Sequence, residues 1–293
     1  MDLIYWDHYY DEALLGNFII VIALFTAMRW FSGMIERIDP SNELLIQDNP
    51  AFGISLAGKI FGVTIMLSGM IFGGNIETLH SLLAVFLTGI TGILFMAVAH
   101  FTFAKIILRK ISVRDEIVKG NIAVAIADAG NILAAAIIVR AVMDWIPPQE
   151  IRGLLAFIAA FIISQILFTC STLIKVRLFK VVYKASPLVD ELKGGNIAAA
   201  LGFAGKKIGT GFAIALAANV IAAESDEITQ ILFTWFGVSI IAIIIFEVIC
   251  YISTRLILYK VNIKEEIVHQ RNTALGALQG IIYISLGYLL SLF

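Results

Sequence analysis

The sequence predicts an all-α integral membrane protein in which eight transmembrane helices form four tandem, parallel hairpin repeats. Three observations predict it. First, 60% of the 293 residues are hydrophobic and only 15% are charged, with a mean hydropathy of +0.93. Soluble domains hold about 45–50% apolar and about 25% charged residues, so the bilayer is the reference solvent here. Second, eight apolar stretches each reach the roughly 20 residues that a spanning helix needs. Third, one short phrase recurs four times at a nearly fixed period, the mark of a supersecondary unit used repeatedly.

The eight stretches lie near residues 12–34, 50–73, 79–107, 121–143, 151–175, 196–222, 228–254 and 272–293. They consume nearly the whole chain and predict a single membrane domain over residues 1–293. The repeats fall at approximately 12–74, 79–145, 151–223 and 228–293. The runs are continuous rather than alternating, which favours helices over a transmembrane barrel. A net charge of −1 argues against a nucleic-acid partner. The acidic segment Met1 to Glu12 lacks the basic start of a secretory signal. Cys170 and Cys250 both sit inside apolar runs, as small lipid- or core-facing residues rather than a disulfide or metal pair.

Charge placement predicts the orientation. Long connections follow the first, third, fifth and seventh helices, and three of the four are clearly basic: Arg109, Lys110, Arg114 and Lys119; Arg177, Lys180, Lys184 and Lys193; Lys260, Lys264 and Arg271. The short connections carry acids and a single cation, Arg152. The positive-inside bias then makes the long linkers cytoplasmic and both termini periplasmic. Trp6, Tyr9, Tyr10 and Trp145 fit an outer aromatic belt and Trp30 an inner one.

The recurring phrase pairs a Glu with a later Asn: Glu43 with Asn49, Glu116 with Asn121, Glu191 with Asn196, Glu266 with Asn272. The asparagines stand 72, 75 and 76 residues apart. Asn is a strong N-cap, so each phrase reads as a helix start with a Glu one turn upstream; a cytoplasmic ion or partner site is the competing reading. Two helices per unit return the chain to its starting face, so the repeats are parallel rather than inverted. Lys59 and Lys206 follow their Asn by ten residues, and Asp128 and Gln279 by seven, so the chain also reads as a duplicated pair. The even-numbered helices are rich in Gly and Ala, which lets backbones approach closely in lipid. They are predicted central, with the bulkier odd helices peripheral. The linkers read as short amphipathic helices or solvated turns, with Leu178 to Lys184 assigned to one of them.

Ionisable residues fall deep inside the apolar runs. At 1.5 Å per residue Lys59, Lys206 and Lys207 lie about 15 Å into their helices. Asp128 is slightly shallower and shares a face with Asn131; Gln279 matches it in the fourth unit, and His100, Gln165 and Glu247 fall in the same slab. A central Lys or Asp costs about 2.5–3.5 kcal/mol on insertion scales, so these groups must be paired, neutralised or hydrated. Asp128 and Glu247 are the obvious partners for two of the three lysines, leaving one cation over. The same residues serve either a permeation path or interhelical pairs that fix helix order. No phosphate loop, HExxH or CxxC motif occurs, so neither an enzyme nor a metal or cofactor is implied.

With its two-helix units, basic linkers and Gly-Asn-Ile-Ala starts (Gly120 to Ala123, Gly195 to Ala198), the chain resembles the YjfL-like family of bacterial inner-membrane proteins, domain of unknown function number 350. The resemblance covers essentially the whole chain, in four copies. It implies a multi-pass protein of the bacterial inner membrane and a link to envelope-stress proteins of the phage-shock type; it supplies no catalytic residues. The fourth unit departs from it, with Arg271 where Gly stands in the second and third. Two functions stay open: a channel or transporter for a small ion or solute through the polar layer, or a non-transporting scaffold whose basic linkers bind membrane lipids or a cytoplasmic envelope-stress partner. The oligomeric state stays open too, a homo-oligomer included.

Overall fold

A computed structural model describes residues 8–73, 78–145, 151–183, 186–221 and 228–293. Its helices are α1 (His8–Glu36), α2 (Pro50–Gly73), α3 (Thr78–Thr102), α4 (Val113–Val118), α5 (Ile122–Trp145), α6 (Ile151–Tyr183), α7 (Leu188–Lys193), α8 (Ile197–Val220), α9 (Ile228–Ile257) and α10 (Thr273–Leu290). Eight of them are long and apolar enough to cross a membrane: all but the short linker helices α4 and α7. The protein is a multi-pass membrane protein in contact with lipid. Each hairpin pairs one long helix with a second, joined by a linker that carries α4, α7 or a π-helical turn (Asn42–Ile46, Glu265–His269).

The linkers follow from the spacing within the phrase. Glu116 and Asn121, like Glu191 and Asn196, are five residues apart, and the segment between closes as α-helix. Glu43–Asn49 and Glu266–Asn272 are six apart. The extra residue is absorbed by the wider i→i+5 turn of a π-helix. In all four units the residue before the Asn is left-handed: Asp48 (φ 46°), Gly120 (φ 83°), Gly195 (φ 73°) and Arg271 (φ 53°). Glycine reaches that region without strain, whereas Asp48 and Arg271 enter it at a cost. Arg271 therefore keeps the backbone turn that its glycine counterparts make.

Each Asn closes the phrase. The Asn196 Oδ1 accepts from the Ala199 N–H at 3.0 Å while its amide donates to Glu191 at 3.0 Å. Asn49, Asn121 and Asn272 make the same pair of contacts. The amide also reaches the next repeat: Asn49 to the Ile117 carbonyl (2.9 Å), Asn121 to Leu192 (3.1 Å), Asn196 to Ile267 (2.9 Å). A helix cap thus doubles as the stitch between successive hairpins.

The second helices of the hairpins form an open row, α2–α5–α8–α10. A Cβ added to Gly58 would stand 2.6 Å from that of Ala129, and one on Gly130 2.5 Å from that of Ala204. Gly205 meets Gly280 as closely. The ninth residue after each Asn therefore packs on the eighth of the next unit, backbone against backbone. The row ends where Ile281 replaces the glycine and faces outward. Consequently α5 and α8 are central, but α10 is an edge, no better buried than α3. The first helices flank the row in two pairs, α1 with α3 and α6 with α9. One boundary also shifts. Leu178 to Tyr183 continue α6 rather than forming a linker, because their apolar stripe extends the helix face already begun.

Of three apolar clusters, one packs Phe246 and Cys250 of α9 against Ile282 and Tyr283 of α10, and two lie at different heights. One, toward the face opposite the linkers, holds Val63, Met66, Ile132, Ile214 and Trp235. The other, at the linker face, holds Phe52, Phe103, Ile117, Leu192 and Ile267. The polar residues occupy the level between them. Trp30 is exposed toward the linker end of α1. The side chains of Trp6, Tyr9, Tyr10, Trp145, Arg152 and Lys184 lie outside the described residues.

Candidate functional site

The polar level divides laterally into two clusters. In the first, Glu36 at the end of α1 is ion-paired with Lys59 of α2. His100 of α3 bonds Asp128 of α5 through Nδ1 at 2.7 Å, and its Nε2 stands 3.8 Å from Glu36. Ser55 donates to the second Asp128 oxygen at 2.8 Å. Arg114 donates from α4 to the Glu36 and Arg37 carbonyls and covers the cluster from the linker face. Asp128 has no exposed surface and Lys59 has 6%. Asp128, His100 and Glu36 thus stand in order, a carboxylate, an imidazole and a carboxylate, in a largely buried compartment with His100 18% exposed. Asn131 stands beside it, donating to the Ala99 carbonyl at 3.3 Å.

The second cluster is built around one carboxylate. Glu247 of α9 takes Lys206 of α8 at 2.7 Å on one oxygen and Lys175 of α6 at 2.9 Å on the other. Lys175 also bonds the Thr210 hydroxyl, and Lys206 lies over the Tyr283 ring at 5.3 Å. Gln279 donates to the Tyr283 hydroxyl at 2.9 Å. Two lysines on one glutamate leave a formal excess of one positive charge. This cluster is open: Lys206 and Glu247 retain 28% and 32% of their side-chain exposure. They face a cavity of about 870 Å³ whose walls are α6 and α9 and whose floor is α8 and α10.

The two clusters differ at one equivalent position. Lys59 and Lys206 hold the same place after their Asn, and Glu36 and Tyr183 the same place before it. Glu36 reaches Lys59 and shuts the first cluster. Tyr183 offers no carboxylate and lines the cavity instead, so Lys206 takes its counter-charge from α9.

Lys207 sits apart from both. Adjacent helical residues diverge by about 100°, and it points away from Lys206 into three phenyl rings, Phe168, Phe103 and Phe203, at 4.1, 4.8 and 5.7 Å. Its Nζ donates to the Thr172 hydroxyl at 3.2 Å, and the residue is 1% exposed. Phe103 comes from the first half of the chain and Phe168 from the second, so this lysine marks the seam between the halves.

Sequence reasoning placed these residues at one depth but expected other pairings. Asp128 partners His100 and Ser55 rather than a lysine, and Lys59 uses Glu36. Glu247 holds two cations instead of one. Glu36 and Lys175 were missed because Glu36 ends α1 and Lys175 closes the predicted stretch 151–175, where a charge reads as a loop residue. The Thr172–Lys175 spacing on α6 was the available signal for a polar face. Gln165 lies ten residues, about 15 Å, above Lys175 and joins neither cluster.

The family described as Domain of Unknown Function (DUF350) matches residues 5–143 and again 149–293. The chain belongs to this family. Each DUF350 segment spans two hairpins, so the family unit occurs twice, not four times; the fourfold phrase is a repeat within the unit. Each DUF350 segment also contains one charge cluster, largely buried in the first and open in the second. No curated protein and no solved structure matches the chain.

Proposed function

We propose that the protein moves a small ion or solute across the bacterial inner membrane, as a channel or transporter acting through its buried charges. One observation carries this reading. The Lys175–Glu247–Lys206 cluster, with its excess positive charge, faces a cavity of about 870 Å³ at the depth of the polar layer. Intramembrane ionisable groups of this kind mark substrate and ion pathways. The tight α2–α5–α8–α10 row leaves no room for passage between its members, so the route runs beside it, by way of the α6–α9 cavity. An excess cation favours an anion. The basic linkers then face the cytoplasm and both termini the periplasm, by the positive-inside bias.

The test is flux in proteoliposomes across an ion panel. Lys175→Leu and Lys206→Leu are expected to lower flux tenfold or more in protein that folds normally. Unchanged flux in both, or no flux for any solute in the wild type, overturns the reading. The second reading, a scaffold binding lipid or an envelope-stress partner, draws support from exposed Arg109, Lys110, Arg177 and Lys180. Charge reversal there would then abolish partner capture and leave flux untouched.

A further inference from the structure

The cavity beside Lys206 has walls that do not suit a small aqueous ion alone. The helices α6 and α9 meet where Trp235 donates to the Ser164 hydroxyl at 2.9 Å, both side chains fully buried. Toward the linker face the cavity lies between them, crossed by the Lys175–Glu247 ion pair. Ile174, Leu178 and Val182 of α6, spaced by four, line it together with Ile244, Val248 and Tyr251 of α9. All six are nevertheless 49–66% exposed, so the wedge is open sideways to the surroundings of the helices. In a spanning segment those surroundings are acyl chains.

The mouth has a different chemistry. Arg255 and Lys264 both line it, with Asn262 between them in sequence. Neither cation has a carboxylate within ion-pair distance among the described residues, and Arg255 rests only on the Tyr251 ring at 5.5 Å. Arg255 is eight residues along α9 from Glu247, about 12 Å. Two uncompensated cations therefore stand at the linker-face end of an apolar wedge, and one further excess charge lies on its floor. Basic pockets between helices at a membrane face recognise acidic headgroups. A volume of 870 Å³ lies within the range of ligand-binding clefts, about 300–1,000 Å³.

From this juxtaposition we infer that the α6–α9 wedge binds an anionic membrane lipid, its phosphate on Arg255 and Lys264 and an acyl chain along the Ile174–Val182 and Ile244–Tyr251 stripes. The inference rests on the reading of this cavity as the functional site; it does not require that anything be transported. At the equivalent place in the first half, Glu36 closes over Lys59 where Tyr183 leaves the wedge open.

The experiment reconstitutes full-length protein in vesicles of phosphatidylglycerol and phosphatidylcholine in equal parts, extracts it in mild detergent and counts retained lipid by native mass spectrometry. Phosphatidylglycerol is expected to be retained over phosphatidylcholine by tenfold or more, at about one copy per chain. Arg255→Glu with Lys264→Glu should abolish the preference. Val248→Trp, which fills the wedge from an exposed position, should abolish retention with the charges intact. Equal retention of the two lipids overturns the inference, as does wild-type retention in both variants. So does capture of inorganic phosphate, measured by equilibrium dialysis, without lipid. Flux measured on the same vesicles separates the two ideas: retention without flux removes the transport reading alone, and flux without retention removes this one alone.

Discussion

The Asn196 side-chain amide lies 2.9 Å from the Ile267 carbonyl, 71 residues further along the chain, and joins the third hairpin to the fourth. The same amide holds Glu191, and its oxygen caps α8. Asn196→Ala removes a helix cap, about 1 kcal/mol, and takes the amide donor from the Ile267 carbonyl and from one Glu191 oxygen, about 1–3 kcal/mol more. Asn272 makes the cap and the glutamate contact, but among the described residues its amide reaches no other repeat. Thermal unfolding in detergent should therefore show Asn196→Ala as clearly the more damaging of the two. Equal losses would mean the stitch between repeats contributes little.

The left-handed residue before each Asn offers a second test. Gly195→Ala forces a Cβ into φ 73° and should cost about 1–2 kcal/mol. Asp48→Gly relieves the same conformation, with φ 46°, and should stabilise by a few tenths to about 1 kcal/mol. The opposite signs of the two shifts, read as changes in unfolding midpoint, are the decisive result.

Glu36 and Lys59 form a buried pair. Removing one partner from such a pair costs about 3–5 kcal/mol because the other charge is stranded, whereas replacing both by apolar residues is close to neutral. Lys59→Leu should thus be strongly destabilising, and Lys59→Leu with Glu36→Leu should recover most of the loss. A double variant whose loss equals the sum of the two single losses would show that the two charges do not depend on each other.

Lys207 stands among Phe168, Phe103 and Phe203 with a single hydroxyl contact. Methionine fills the same volume and favours aromatic rings, so Lys207→Met should leave the unfolding midpoint unchanged or raise it. If the ammonium matters for activity, the same variant lowers flux without lowering stability. A drop in stability would mean that the cation–ring contacts outweigh the cost of burying the charge.

Much of this architecture was legible residue by residue. Asn49, Asn121, Asn196 and Asn272 announce the start of the second helix in each hairpin because helix capping is a local property of a residue and its next three neighbours. Depth was equally legible: Lys59, Asp128 and Lys206 lie between the two apolar cores, since rise per residue is constant along a helix. The linkers misread at Leu178 to Tyr183 show the limit, for an amphipathic end of a long helix and a short amphipathic linker have the same pattern.

By itself, then, the amino-acid order determined the solvent, the eight crossings, the period and the level at which charge is buried, all of which depend on composition and on distance along one chain. Only the tertiary structure decided that Glu36 answers Lys59, that Lys175 and Lys206 share Glu247, and that one cluster is largely buried while the other opens on a cavity. Those outcomes depend on which way each helix is turned and which helix stands beside it. That is set by the fit of Gly58, Gly130 and Gly205 against their neighbours in the row, a contact between residues some 70 positions apart.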